Sequence, residues 1–246
     1  MYYYLYDAQL SDKKYATTVA KIETRLTDLG INGKINRLSF LKNIEQVLAE
    51  EIKRGVKTIV IVGNDKTVGQ VINIVKDFNV AIGLIPVGPD NNIAKLLGIP
   101  IGESACDIIS SRIVRKLDVG EINGYLFLTS LEMGGKNISL DCDGNYTITA
   151  LSDDNIINIG NLNICYQTPC DPEDGQIDIF VESKEKKLFQ KSQSTISHFI
   201  VNKIRITGGK AITIFLSDEK KITKTPADIY LLPKKLKMIV GKQRYF

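Results

Sequence analysis

Hydrophobic and polar positions follow two different rhythms along the chain, and the change falls near residue 112. In the first stretch a short-strand pattern alternates with a helical one. Tyr2–Tyr6 predicts a strand. From Tyr15 to Leu29, apolar residues recur at Ala16, Val19, Ile22, Leu26 and Leu29, the period of a helix with one buried face, and Gly30 stands where a C-terminal cap belongs. Ile31–Leu38 predicts a second strand. Leu41, Ile44, Val47, Leu48 and Ile52 mark a second amphipathic helix, closed by Gly55. Lys57–Val62 is a β-branched run without alternation, which suits a strand buried on both faces of a parallel sheet. Val68–Asp77 reads as helix, Ala81–Pro86 as the next buried strand, and Asn91–Leu97 as a helix closed by Gly98. This β-α-β-α-β order predicts a parallel sheet covered on both sides.

From Ile113 to about Leu232 the segments are short, rich in β-formers and broken by turn residues. Gly124–Leu128, Tyr146–Ala150 and Ile156–Ile164 predict strands, and Asp143-Gly144, Asp174-Gly175 and Gly208-Gly209 mark turns. That is the pattern of an antiparallel sheet or sandwich. The fold class expected is therefore an α/β domain with a parallel sheet over residues 1–112, then a β-rich antiparallel domain over residues 113–246. The last 14 residues, from Pro233, are able to pack back on the first domain.

Composition narrows the function. With 43% hydrophobic and 24% charged residues in 246, the chain can build a full core and is neither disordered nor collagen-like. Its four cysteines, at 106, 142, 165 and 170, form no C-x-x-C pair, and there is a single histidine, His198. A disulfide scaffold and a zinc site built from sequence neighbours are both disfavoured, and reduced cysteines point to a cytoplasmic protein. A formal charge of +4, from 32 basic and 28 acidic residues, is too weak to indicate a nucleic-acid binder. No run reaches the roughly 20 apolar residues of a membrane span, and the N-terminus has no basic n-region of a signal peptide. The end of the chain carries Lys234, Lys235, Lys237, Lys242 and Arg244 and no acid. It offers a peripheral contact with an anionic membrane, although a solvated surface is the commoner meaning. A homodimer stays open.

Two strand-to-helix bends carry the candidate chemistry. The first is Gly63-Asn64-Asp65-Lys66-Thr67, where open α/β sheets bind ligands and backbone N–H groups can hold a phosphate. The second is Ile85-Pro86-Val87-Gly88-Pro89-Asp90-Asn91-Asn92, with Gly88 following Gly63 by 25 residues. Lying side by side, the two bends are expected to leave an open pocket for polyphosphate between them. Each also has a plain structural reading: an Asx turn at Asn64 and Asp65 with Thr67 capping the helix, and a Pro-Gly turn with Asn91 or Asn92 as N-cap. Among the weaker signals, Asp141–Asn145 reads as a hairpin turn rather than a calcium loop. His198 reads as a hydrogen-bonded strand residue, and Cys165 and Cys170 as small apolar groups beside a turn.

With the following Ile93-Ala94-Lys95-Leu96-Leu97-Gly98-Ile99-Pro100, the two bends resemble the catalytic domain of the diacylglycerol kinase and bacterial lipid kinase family, whose fold is shared with NAD kinases and sphingosine kinases. That family's pattern is strand, G-G-D-G-T, helix, then P-x-G-T-G-N-D-x-A-R-x-L-G-I-P. Further along, Arg115–Gly120 with Tyr125–Leu128, Pro172–Ile179, Ser217-Asp218-Glu219, Thr225-Pro226 and Leu232-Pro233 look like ordered counterparts of later family segments. The resemblance implies γ-phosphoryl transfer from ATP, with Mg²⁺, to a lipid or small hydroxyl substrate in a cleft between the two domains. It implies Asp65 at the metal or nucleotide and Glu219 as general base. Gly63, Asn64, Lys66, Thr67, Gly88 and Asn91 would line the nucleotide site and Asn92 would face the substrate, while the metal ligands stay unassigned. On this chemistry, Asp65→Ala is expected to abolish turnover and leave the melting temperature nearly unchanged.

The departures from the family pattern point to a second outcome, a catalytically inactive relative that binds nucleotide, lipid or a protein partner. Asn64 and Lys66 replace two glycines, and Pro89-Asp90-Asn91-Asn92 replaces T-G-N-D. The first strand runs into Tyr6-Asp7-Ala8-Gln9-Leu10-Ser11 instead of the phosphate loop N-P-x-S-G. Glycine admits positive φ where other residues are strained, so strain is expected at Lys66 and, less, at Asn64. Asp90 near phosphates would cost roughly 4 kcal/mol per close contact at an effective dielectric of about 20, unless it holds a metal.

Overall fold

The computed structural model describes residues 1–38, 44–185, 193–208, 211–216 and 221–246. The chain forms two compact units, Met1–Leu117 with Lys235–Tyr245, and Asp118–Lys234 with Phe246.

In the first unit, β1 (Tyr2–Tyr6), β2 (Gly33–Arg37), β3 (Thr58–Gly63) and β4 (Ala81–Pro86) are parallel and stand in the order β2-β1-β3-β4. The helices α1 (Ala16–Asp28), α2 (Ile44–Lys53) and α3 (Asp65–Val75) connect them, and α4 (Asn92–Leu96) and α5 (Ala105–Ser111) follow. Every residue of β3 and β4 is buried, as unalternated apolar strands require. Tyr3, Tyr4 and Tyr6 are buried because β1 is flanked by β2 and β3. The start of the helix expected from Leu41 lies outside the described residues. Sequence reading missed α5: it is seven residues long, too short to display a period, and it ends on Arg112 in the left-handed region (φ 51) rather than on a glycine.

The second unit holds β5 (Val114–Ile122), which begins in the first, followed by β6 (Tyr125–Phe127), β7 (Ser130–Gly134), β8 (Ile138–Cys142) and β9 (Tyr146–Ala150). After these come β10 (Ile156–Gly160), β11 (Asn163–Cys165), β12 (Thr168–Cys170), β13 (Ile177–Glu185) and β14 (Gln193–Val201). The last are β15 (Lys203–Gly208), β16 (Thr213–Leu216), β17 (Lys221–Lys224) and β18 (Ala227–Ile239). An antiparallel sheet runs β14-β13-β10-β7-β16-β17, and a second antiparallel run joins β9, β8, β15 and the first half of β18. Alternate residues such as Leu131, Leu140, Ile157, Ile179, Ile204 and Ile229 point into a shared core. Asp143 (φ 55) and Gly144 (φ 70) make the tight hairpin between β8 and β9. His198 sits in β14, its Nε2 2.6 Å from Asp178 Oδ1 and its ring stacked on Phe180. The four cysteines are free and buried, and burial pushes the Cys106 thiol up to about 11. The far end of β18 belongs to the first unit, where Lys237 and Met238 pair parallel with Ala81 and Ile82.

One buried carboxylate ties the second unit's ends together. Asp118, 1% exposed, accepts hydrogen bonds from Gly175 N at 2.8 Å and Lys234 N at 2.7 Å, while its own N–H donates to Pro172 O at 2.6 Å. Removing it strands two backbone donors, at about 1–3 kcal/mol each. Asp118→Ala is therefore expected to lower the urea midpoint by the equivalent of about 3 kcal/mol, with Asp118→Asn losing less. An unchanged midpoint would show that these bonds do not hold the unit.

Candidate functional site

The first bend is built by a helix cap. Asn64 is extended (φ −129, ψ −176) and its side chain accepts from Thr67 N at 3.4 Å, which makes Asn64 the N-cap of α3. Thr67, expected as the cap, lies inside the helix instead. Asp65 and Lys66 occupy the first helical turn. The strain expected at Asn64 and Lys66 does not arise, because neither has positive φ. It falls in the second bend, at Asp90 (φ 61), while Gly88 (φ 89) takes its positive φ without strain.

The segment after β1 presses on this bend. A Cβ on Gly63 would meet Asp7 Cβ at 3.0 Å and Thr67 Oγ1 at 3.3 Å, so a side chain there would force the segments apart. Asp7 accepts from Gln9 N at 2.9 Å, starting a 3-10 turn over Ala8–Ser11, and its other carboxylate oxygen accepts from the Thr67 hydroxyl. Asp7 N donates to Val62 O at 2.9 Å. Where a phosphate loop was expected to be missing, a carboxylate has taken the neighbouring hydroxyl.

The two bends are adjacent, as the sequence predicts. Val87 N donates to Gly63 O at 3.0 Å and Asp65 N to Asp90 O at 2.9 Å. The space between them, however, is not open. Asp65 Oδ2 accepts from Asn92 N at 2.7 Å and Oδ1 from Ile93 N at 3.1 Å, so this carboxylate caps α4 from a different helix. Asn91 precedes α4 without capping it, and its Nδ2 donates to Gly88 O at 2.6 Å. Asn92 is exposed and contributes its N–H to Asp65. Gly63, Asn64, Asp65, Thr67, Gly88, Asn91 and Asn92 are thus brought together by direct bonds or contacts. Glu219 lies outside the described residues. Reading the sequence missed Asp7, Gln9 and the capping role of Asp65; partners 27 and 28 residues away leave no local signal.

Open volume lies to either side. On the β1 side a cavity of about 620 Å³ is lined by Asp7, Gln9, Asp12, Lys14, Asn64 and Lys66, among others. On the Gly88–Asn92 side lies another of about 820 Å³. Three polar atoms in this region are buried without a partner: Gln9 Nε2, Asn91 Oδ1 and the Tyr6 hydroxyl. Burial pushes the Tyr6 phenol up, helped by Glu23 and opposed by Arg37, so it stays protonated. Among the described residues no three metal-ligating side chains cluster. The β1-side cavity nonetheless offers two cations, two carboxylates and the unused amide donor of Gln9. This set suits a metal-bound polyphosphate better than a bare one, since Mg²⁺ is commonly held by one or two carboxylates plus phosphate oxygens.

Residues 3–122 match the family profile described as "Diacylglycerol kinase catalytic domain". A candidate lipid kinase of Staphylococcus haemolyticus is 24% identical over 272 residues, spanning 89% of this chain and 87% of that protein. A diacylglycerol kinase of Bacillus subtilis is 34% identical over 89 residues, 35% of this chain and 29% of that one. The solved structure of a diacylglycerol kinase from Bacillus anthracis superposes with a TM-score of 0.81 at 21% identity, over 98% of this chain and 97% of the other. The last similarity shows the fold.

The geometry reverses the expectation for Asp65. Asp65→Ala frees two backbone donors at the start of α4, so a loss of about 2 kcal/mol and a melting temperature lower by several degrees are expected. Asp65→Asn keeps an acceptor and is expected to lose about half as much. Calorimetric melts of the two variants check this, and an unshifted Asp65→Ala melt would deny the cap any energetic role.

Proposed function

Residues 3–122 of the chain belong to the diacylglycerol kinase catalytic domain family, and from that premise we propose an ATP-dependent phosphotransferase acting on a lipid hydroxyl. The observation that supports this reading is the polar cavity at the carboxyl ends of β1 and β3, where Lys14, Lys66, Gln9, Asp7 and Asp12 converge. When bound, ATP with Mg²⁺ would supply the transferable phosphoryl group and neutralise its developing charge. The chain's own residues do the positioning, which carries most of such a reaction. Lys66, which has no ion-pair partner among the described residues, meets phosphate oxygens, and Lys14 sits 3.6 Å from Asp12. Gln9 Nε2 supplies a donor. Asp7 and Asp12 face the metal. Asp65 is a positioning residue that sets the second bend, with Gly63, Asn64, Thr67, Gly88, Asn91 and Asn92 shaping the two loops. Glu219 keeps the general-base role that the family resemblance gives it. A lipid is the substrate because the relatives are named for lipid substrates. No helix among the described residues is long and apolar enough to cross a membrane. The proposed location is the cytoplasm.

A second reading, a relative that binds without turnover, rests on a specific observation. Asp7 and Asp65 have taken the Thr67 hydroxyl and the Asn92 and Ile93 N–H groups, three donors a phosphate would otherwise use.

One experiment separates the two. Saturating ATP with Mg²⁺ is expected to raise the melting temperature by several degrees, since ligand at about 100 times its Kd stabilises by about 2.7 kcal/mol. The shift should vanish with chelator or in Lys66→Ala, and labelled phosphate should move from ATP to diacylglycerol in mixed micelles. A shift without transfer favours a relative that binds nucleotide without turning it over. No shift at millimolar ATP removes the first reading and leaves only a relative that binds lipid or a protein partner.

A further inference from the structure

The cavity on the outer side of the second bend has a different chemistry from the polar one. Its walls come from the chain after α4, from α5 and from the end of the chain, and Ile99, Ile101, Ile108, Ile113 and Val240 face it. Its volume, about 820 Å³, lies in the range of small-molecule sites. The wall made by the chain end is fixed by backbone bonds: Val240 N to Ile113 O at 2.9 Å, Gly241 N to Leu97 O at 2.8 Å and Tyr245 N to Leu96 O at 3.0 Å. The cavity is therefore preformed, and a ligand need not order its lining.

Two further features define its occupant. Ile101, at the rim, is 68% exposed and extends the apolar wall to the cavity's edge. Lys95 and Lys242 also line the cavity, and neither has an ion-pair partner among the described residues, in contrast to Lys235, which pairs with Asp77 at 3.8 Å. The cavity's lone carboxylate, Asp90, is outnumbered by these cations. A second copy of the chain is a poor occupant, because it would bring the same basic chain end against the same lysines on a molecule already at +4.

We propose that this cavity binds a single-chain anionic amphiphile, a fatty acid or lysophospholipid. Its acyl chain lies along Ile101, Ile108 and Ile113, and its phosphate or carboxylate meets Lys95 and Lys242. The site does not depend on phosphoryl transfer, so ATP is left out of its test.

The test is calorimetric titration of the full chain with lysophosphatidic acid below its micelle concentration, beside oleate and an uncharged monoacylglycerol of matched chain length. Saturable binding of both anions at one per chain is expected, tighter than the monoacylglycerol. A Lys95→Gln/Lys242→Gln variant should bind the anions about tenfold more weakly and the monoacylglycerol unchanged. Ile101→Glu, at an exposed position, should abolish binding of all three while melting like the parent chain. Preference for lysophosphatidic acid over oleate would identify phosphate as the head group, and the reverse a carboxylate. The proposal is overturned if no saturable heat appears, if the lysine variant binds the anions as the parent does, or if Ile101→Glu binds undiminished. It is also overturned if sedimentation reveals a dimer that Ile101→Glu dissolves, since a second copy would then cover the cavity.

Discussion

The carboxylate of Asp65 sits in the first turn of α3 and accepts the backbone N–H groups of Asn92 and Ile93 at the start of α4. Because α4 is only five residues long, it cannot hold its own shape by helical bonds, and its direction is set from outside. The second bend, with Gly88 and Asp90 at positive φ, is held in that strained course by the same carboxylate and by the bond from Asp65 N to Asp90 O. Everything the first unit presents at the carboxyl ends of β3 and β4 depends on this one residue bridging two loops. The carboxylate also decides where a ligand can go, since it closes the gap between the bends and leaves free volume only on their outer sides.

Charge has a consequence of its own. Asp7 and Asp65 occupy positions where a phosphate would look for donors, and each has satisfied its oxygens with groups of the chain itself. A carboxylate about 4 Å from a phosphate oxygen costs roughly 4 kcal/mol at an effective dielectric of about 20. That charge opposes a bare polyphosphate at the site. Lys14 and Lys66 do not outweigh that term by themselves, because cations in a wet cavity return about 1 kcal/mol or less.

The first unit sorts its surroundings by polarity along one edge. The segment after β1 brings Asp7, Gln9, Asp12 and Lys14 to one side of the bends, while α5 and the returning end of the chain bring isoleucines and Val240 to the other. Both arrangements rest on backbone bonds rather than on side-chain contacts alone, which keeps the lining in place before any ligand arrives.

What could be read from the chain alone was whatever repeats at short range. The unalternated runs at β3 and β4 were legible because a strand buried on both faces selects apolar residues at successive positions. The periods of α1 and α3 were legible because a helix of three turns repeats its apolar face, and the β8–β9 hairpin because Asp143-Gly144 is turn chemistry within two residues. The adjacency of Gly63–Thr67 and Gly88–Asn92 followed from parallel order. Tertiary structure decided the rest. It assigned Asp65 to cap a helix 27 residues away, delivered the Thr67 hydroxyl to Asp7 across 60 residues, and moved the strained φ from Lys66 to Asp90. It also ended α5 on Arg112 without a glycine and laid Val240–Tyr245 against Leu96 and Leu97. A hydrogen bond between distant residues depends on where two elements come to rest, and no local pattern of apolar and polar positions records that.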